Sequence, residues 1–526
     1  GVQQTTDNDT PYTRGEDSGQ NQWTWQHYNA TVGYDGTFGR HVVSASAGIL
    51  YNIYKTDFSQ NGAAGKMVEY RHMTVNGAVN YAYDDRYVAT FSFAADGSDN
   101  YRPGNRWGFY PSLGLGWIVS RERFLRDSRM VDLLKLRASV GKNGWDPMGE
   151  MRYLWEGYYT GRGGLNTGNS EHTWHGGTAL SYLPNPDVFA EKSLKYDAGI
   201  DLRLWNRLSL NVDLFLEKRS GIVTQDWMIP GASGVDNPPY RNIGRMTNKG
   251  FEVQLSWADR IGDFNYALTG MASYNSNKVD YMAEVVTVPT AARTGRRLDA
   301  LFGYVADGFY DWDDFDVGGE LREGLPKPTF GAVQPGDIKY KNLNGDTVID
   351  ENDQTAIGDS YLPKLQYSFS LAASYKGFDL FALFQGAAGR DVNLLDAPLQ
   401  NVAFRDNGNV YGIAEGRWAY YPEQGIDTRA TATYPRLSLQ DNSNNYRNST
   451  LWKRSGDFLK LRNVELGYTF AQPSLSKAGI SKIRIYLSGV KLLTVSRLMR
   501  DYDIDPEILS GHPALKSYNL GLTVTF

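Results

Sequence analysis

The sequence has no cysteine and only six histidines in 526 residues. The first absence excludes disulfide scaffolds, cysteine-ligated zinc, iron–sulfur clusters and thiol nucleophiles together. The second leaves little from which to build a histidine-rich metal site. Positive charge is not in excess either: 54 Lys and Arg stand against 59 Asp and Glu, a net charge of −5, so nucleic acid is not an expected partner. No run approaches eighteen consecutive apolar residues, which excludes a spanning helix. The opening Gly1-Val2-Gln3-Gln4 has neither Met nor a charged-then-apolar signal segment. The expectation is a removed leader or a piece of a longer protein.

What is present is aromatic and glycine-rich: 35 Tyr, 22 Phe, 13 Trp and 56 Gly, with a hydrophobic share of 41%. That mixture suits a β-rich surface protein, or a transmembrane β-barrel whose polar lumen and loops dilute its apolar band. Period-2 patterning supports strands. Leu194, Tyr196, Ala198, Ile200, Leu202 and Leu204 alternate with Lys195, Asp197, Gly199, Asp201 and Arg203. After Trp205-Asn206-Arg207, Leu208, Leu210, Val212, Leu214 and Leu216 alternate with Ser209, Asn211, Asp213, Phe215 and Glu217. The same pattern recurs in Met73–Tyr83 and Tyr87–Phe93, in Phe251–Trp257 and Phe264–Leu268, and in Leu365–Tyr375 and Phe378–Phe384. These strands run about ten residues or more, longer than the ~5–6 of ordinary sheets and suited to a tilted membrane crossing.

The connections alternate as well. Short turns at 35–39, 84–86, 205–207, 258–263 and 376–377 are interleaved with excursions at 55–70, 98–108, 143–191, 219–247, 276–363 and 387–456. Short turns on one side and long loops on the other describe an outer-membrane barrel, with periplasmic turns and extracellular loops. Segment 120–132 is expected to form a short amphipathic helix on the short-turn side. Tyr34, Tyr83, Tyr87, Trp205, Trp257, Phe264, Tyr375, Phe378, Tyr468 and Phe470 gather near the short turns, where an interfacial aromatic girdle would sit. The chain closes on Tyr518-Asn519-Leu520-Gly521-Leu522-Thr523-Val524-Thr525-Phe526, an alternating strand with a terminal aromatic residue. The fold class expected is all-β: a transmembrane antiparallel β-barrel.

Several segments resemble the SusC/RagA family of TonB-dependent outer-membrane transporters of Bacteroidetes. They are Ala95-Asp96-Gly97-Ser98 with Arg102-Pro103-Gly104-Asn105-Arg106-Trp107-Gly108, then Asn242-Ile243-Gly244 with Asn248-Lys249-Gly250-Phe251-Glu252. Gly336-Asp337-Ile338-Lys339-Tyr340, Tyr375-Lys376-Gly377-Phe378-Asp379, Phe384-Gln385-Gly386 and Gly456-Asp457-Phe458-Leu459-Lys460-Leu461-Arg462-Asn463 follow in family order. The resemblance runs along nearly the whole chain but matches only the C-terminal half of such proteins. It implies part of a barrel of about 22 strands, of which residues 1–526 supply about fifteen. The family's TonB box, plug domain and first strands have no counterpart here, and the expectation is a C-terminal fragment or one half of a split transporter. The family also implies a SusD-like surface lipoprotein as lid, the TonB complex acting through the plug, the upstream plug and barrel segment as partner, outer-membrane lipid around the wall, and import of oligosaccharides or peptides, glycan by family habit. An outer-membrane barrel enzyme or a surface adhesin is the alternative. No convergent catalytic set supports an enzyme.

Other motifs bear on chemistry. Asn342, Asn344, Asp346, Val348, Asp350 and Asp353 stand at positions 1, 3, 5, 7, 9 and 12 of an EF-hand-like calcium loop, Val348 offering its carbonyl. Asn342 in place of the first Asp, Thr347 in place of the turn glycine and the short Asp353 are departures from that pattern. A structural calcium site and a solvated acidic turn are both readings of this segment, and no cofactor is otherwise required. Asp311, Asp313, Asp314 and Asp316 read as an exposed acidic turn, His172 and His175 as a loop pair lacking a third ligand, and Leu113-Gly114-Leu115-Gly116 as strand. Trp418-Ala419-Tyr420-Tyr421 suits sugar stacking or lid packing equally.

Overall fold

A computed structural model describes residues 23–56, 68–146, 152–157, 159–167, 173–180, 182–230, 237–286, 288–396, 402–404, 408–439, 442–470, 479–512 and 514–526. Among these, fifteen strands join in one sheet, each beside its predecessor in the chain. They are β1 (Trp23–Phe38), β2 (His41–Thr56), β3 (Val68–Tyr83), β4 (Tyr87–Ser98) and β5 (Trp107–Ile118). Next come β6 (Val131–Trp145), β7 (Glu191–Leu204), β8 (Leu208–Gln225), β9 (Tyr240–Ile261) and β10 (Phe264–Tyr281). The last five are β11 (Leu365–Tyr375), β12 (Phe378–Ala388), β13 (Phe458–Phe470), β14 (Lys482–Ser496) and β15 (Ser517–Thr525). Small two-stranded ribbons occupy the long connections.

The turns follow from local stereochemistry. Asp84-Asp85, Trp205-Asn206 and Lys376-Gly377 all have positive φ at both residues; the last pair is a whole two-residue hairpin, where such φ values match strand twist, and the first two open three-residue connections. Trp205 holds this conformation although it is not a glycine, with its N–H donating to the Met130 carbonyl at 2.9 Å. Beside it the Asn206 N–H donates to Asp132 Oδ2 at 2.5 Å. Two turns are tighter than the sequence suggested: β1 and β2 leave only residues 39–40 between them, and β9 and β10 only 262–263. The amphipathic helix expected in 120–132 does not form. A single 3-10 turn, Val119–Arg121, is followed by further turns.

Register aligns the apolar residues across neighbours. Val79, Phe91 and Leu113 are successive partners on β3, β4 and β5, as are Tyr83, Tyr87 and Trp117. The apolar face is bare: Val32, Leu214 and Leu520 are 70%, 57% and 79% exposed. The other face carries polar pairs, such as Thr74 donating to Asp96 at 2.6 Å and Thr90 to Asn80 at 2.8 Å. On it Arg484 of β14 also donates to Asp379 of β12 and Glu465 of β13.

The chain divides into two compact units, one of Gly1–Trp117, Arg137–Tyr196 and Lys218–Arg245, the other of Ile118–Leu136, Asp197–Glu217 and Met246–Phe526. In the first, a small cluster of Tyr101, Leu154, Val188 and Val223 is buried in connections and strand ends. In the second, the long connections make a core of their own, with Ile338 and Ile349 fully buried and Trp452 1% exposed. Leu498 of the short helix α1 (Arg497–Tyr502), capped by Ser496, completes it.

Candidate functional site

In the second unit, a buried carboxylate is the most connected of the groups that join segments 301–340 and 412–455. Asp337 is fully buried, and such a group is tolerable only when its lone pairs are met. Its Oδ1 accepts from Arg436 Nε at 2.7 Å and from the Asn442 and Asn445 side-chain amides at 2.9 Å each. Its Oδ2 accepts from the Gln334 N–H at 2.8 Å. Gly336, at φ +88°, lies against Trp418, and a Cβ there would come within 2.5 Å of that ring. Asn445 in turn receives the Trp452 indole N–H on its carbonyl at 2.7 Å.

Beside this knot lies a cavity of ≈ 240 Å³. Trp312, Trp418, Tyr420 and Tyr421 supply aromatic walls, and Arg417 and Arg436 the only charged ones. Trp312 is placed by a one-turn 3-10 helix whose cap, Asp311, accepts the Trp312 N–H, while Asp314 reaches back to the Asp311 N–H. Tyr420 is held by Arg429, whose guanidinium sits 4.0 Å from its ring centre and is forked onto Asp427. Trp312 and Tyr421 are more than half exposed, so their rings are free to meet a ligand.

The first unit has a second carboxylate hub. Asp146, just past β6, accepts from Asn100 at 2.9 Å, Tyr101 at 2.8 Å, His72 at 3.2 Å and the Ser98 hydroxyl. Burial pushes this carboxyl up, but those four donors outweigh it and hold it below the ordinary carboxylate range. Burial, with Asp146 adjacent, pushes the Tyr101 phenol up. Arg152 ties the next connection down, donating to Asp99 at 3.0 Å and lying 3.6 Å over the Tyr70 ring. A ≈ 520 Å³ notch nearby is floored by the cross-strand row Tyr51, Met73, Gly97 and Trp107.

The motifs singled out in the sequence are placed as follows. Asp311, Asp314 and Asp316 cap turns: Asp316 accepts the Gly318 and Glu320 N–H groups, and Asp314 also receives Lys339 Nζ at 3.2 Å. Lys195, Asp197, Asp201, Arg203, Asp213 and Glu217 stand on the polar parity of β7 and β8, with Lys135 Nζ 3.8 Å from Asp201. Leu113–Gly116 is strand. His175 is exposed on a ribbon, and His172 lies outside the described residues.

In the 342–353 loop the oxygens are spent on the loop itself. Asn342 Oδ1 accepts the Gly345 N–H at 2.6 Å, Asp346 Oδ1 the Val348 N–H at 2.9 Å and Asp350 Oδ1 the Asn352 N–H at 2.8 Å. Asn344 Oδ1 takes the Asp346 N–H at 3.1 Å. Asp353, fully buried, accepts from Leu343 N at 2.7 Å and Asp350 N at 2.9 Å. Among the described residues no group of three acidic or histidine side chains is gathered to hold a metal ion. Asn342, Asn344, Asp346, Asp350 and Asp353 thus each already accept a backbone N–H of the loop. Asp337 falls in a segment that carries the family resemblance, but neither it nor Asp146 is legible as a hub in the sequence, because their partners lie about a hundred residues away or in other strands. The Asn-rich Asn442-Ser443-Asn444-Asn445 was the one local signal.

A wall with one bare apolar face, one polar face and a packed layer of loops has the make-up of a transmembrane barrel. A family model described as TonB dependent receptor-like, beta-barrel matches residues 1–384. The chain belongs to that family of outer-membrane barrels, and its apolar face is the lipid face. TonB-dependent receptor P3 of Formosa agariphila is 26% identical over 94% of this chain and 51% of its own length. TonB-dependent receptor SusC of Bacteroides thetaiotaomicron is 25% identical over 86% of this chain and 43% of its own. The RagAB peptide transporter structure superposes with a TM-score of 0.70 at 21% identity, over 96% of this chain and 55% of that one. The SusC/RagA resemblance is thus borne out. The chain spans about half the length of the curated relatives it matches.

Proposed function

We propose that this chain forms most of the wall and the ligand-facing loop layer of a TonB-energised importer of oligosaccharides, working under a SusD-like surface lipoprotein. The observation that carries the reading is the loop layer: a built core beyond the strands, with an aromatic-walled cavity in it, on a wall suited to lipid. Aromatic faces stack on the C–H faces of sugar rings, while hydroxyls and amides fix orientation. The reading needs a plug and further strands to complete the barrel, and the relatives are long enough to hold both. Chemistry on the cargo plays no part in it, in keeping with relatives named as receptors. We assign the 342–353 turn a structural role in this layer, sustained by its own hydrogen bonds.

The test is uptake by cells carrying or lacking the full transporter. Fluorescent oligosaccharides should accumulate only with the transporter, the lid lipoprotein and TonB all present. Accumulation of labelled oligopeptides instead, or saccharide uptake that persists without TonB, would contradict the proposal.

A further inference from the structure

We propose that the Trp312–Tyr421 cavity is a subsite for a sugar residue bearing a carboxylate or sulfate, with Arg417 as the group that selects the anion. The inference rests on the saccharide-importer reading and narrows it to acidic saccharides. Its basis is a charge asymmetry. The cavity wall contains two arginines and no acidic residue. Arg436 is spent on buried Asp337, at 2.7 Å. Arg417 is not: among the described residues its guanidinium has neither an ion pair nor a hydrogen bond, although the side chain is half-buried. Three nearby carboxylates are already engaged. Asp311 and Asp427 face Arg429 at 3.4 and 2.9 Å, and Asp314 faces Lys339 at 3.2 Å.

A guanidinium held among aromatic rings is only partly hydrated, and its planar fork matches a carboxylate or sulfate edge. Backbone bonds hold its position. The Arg417 N–H donates to Ala414 O at 3.1 Å, and the Thr428 hydroxyl donates to Arg417 O at 2.7 Å. The next residue, Trp418, is pinned by Gly336 beneath it. The cavity of ≈ 240 Å³ has room for one sugar ring, whose anionic substituent would meet Arg417. A peptide would ask for paired backbone donors and acceptors. The side chains here are aromatic rings, phenol hydroxyls, one amide (Gln334), two guanidiniums and the aliphatic Pro335 and Leu437, a set that favours a sugar.

The test uses the full transporter purified in detergent and calorimetric binding of four probes of equal length. These are an oligogalacturonate, a sulfated galactan oligosaccharide, a neutral galactan oligosaccharide and an oligoglutamate. The wild type should bind an acidic saccharide about tenfold or more tighter than the neutral one, the worth of one charge-assisted fork. Which of the first two probes binds identifies the anion. Arg417→Gln should erase most of that preference, weakening acidic far more than neutral binding, Arg417→Lys should retain part of it, and Trp312→Ala should weaken both saccharides alike. Equal binding of acidic and neutral saccharides by the wild type, equal weakening of both by Arg417→Gln, or tighter binding of oligoglutamate would overturn the subsite. Uptake of neutral saccharides without acidic preference would sink this inference and leave the importer standing, whereas absence of any saccharide uptake would sink the importer itself.

Discussion

The strand wall and the loop layer obey opposite rules. On the wall, large apolar side chains such as Leu214 and Leu520 are bare and polar pairs line the other face. In the loop layer of the second unit the pattern is that of a soluble protein, with Trp452, Ile338 and Ile349 buried around Asp337. The wall is stable because lipid replaces water against its apolar face and every strand between the first and the last is paired on both sides. The loops stand in water and hold their shape by burial and by carboxylates that collect N–H groups. One chain thus contains two solvents' worth of design, and only the part built for water has reason to recognise a polar cargo.

The comparison can be broken most severely at Asp337. Asp337→Ala leaves Arg436, Asn442, Asn445 and the Gln334 N–H without their acceptor. It should cost the loop layer about 3–5 kcal/mol, read as accelerated proteolysis at 412–455, while the wall keeps its heat-modifiable migration. Leu214→Arg is the reciprocal lesion. It puts a charge on the lipid face mid-strand and should cost about 2–4 kcal/mol in membrane refolding. Asn211→Arg, on the other face of the same strand, should be several times milder. Equal effects would refute the assignment of faces.

A smaller effect concerns pH. Burial raises the Glu507 carboxyl, but Arg462 and Lys460 outweigh it and bring it to about 2, with contacts of 2.8 Å from Arg462 and 2.7 Å from Lys460. A carboxyl lowered on folding stabilises fully above its unfolded value, near 4.5. That contribution is lost as pH falls from there through about 2. Protection factors in 497–512, taken relative to the intrinsic exchange rate at each pH, should therefore fall across that window, and Glu507→Gln should flatten the dependence. The smallest effect expected is from calcium. Millimolar calcium should leave exchange at 342–353 unchanged, whereas protection that appears with calcium and vanishes in Asp346→Ala would establish a cation site there.

The wall was largely legible because period-2 alternation over β7 and β8 is long and unbroken. It became harder to read at β13, where the register shifts between Leu461 and Asn463. Leu459 and Leu461 share a face with Val495 and Leu493, but beyond the bulge Leu466 and Tyr468 take over that face from the opposite parity. A bulge flips every later side chain without changing composition. The loop layer was not legible in detail. Tyr304, Asp337, Tyr434 and Trp452 meet from far apart in the chain with no period to announce them. The 342–353 segment carries two readings for a related reason: Asn and Asp at alternating positions suit a cation loop and a run of self-bonded turns equally. Trp418–Tyr421 could be named in advance as aromatic, but the unpaired Arg417 beside it emerged only when its neighbours' partners were known.

Since the chain contains no cysteine, single reporters can be placed in it without background from its own residues. Environment-sensitive labels at cysteines replacing Leu113, Leu214 and Leu466, and at cysteines replacing Asn211, Ser112 and Glu465, would be exposed to a lipid-attached quencher in reconstituted full transporter. The account predicts strong quenching at the first three positions and weak quenching at the other three. Quenching that fails to alternate along β5, β8 and β13 would contradict a lipid-facing wall, and with it the division of labour between wall and loops.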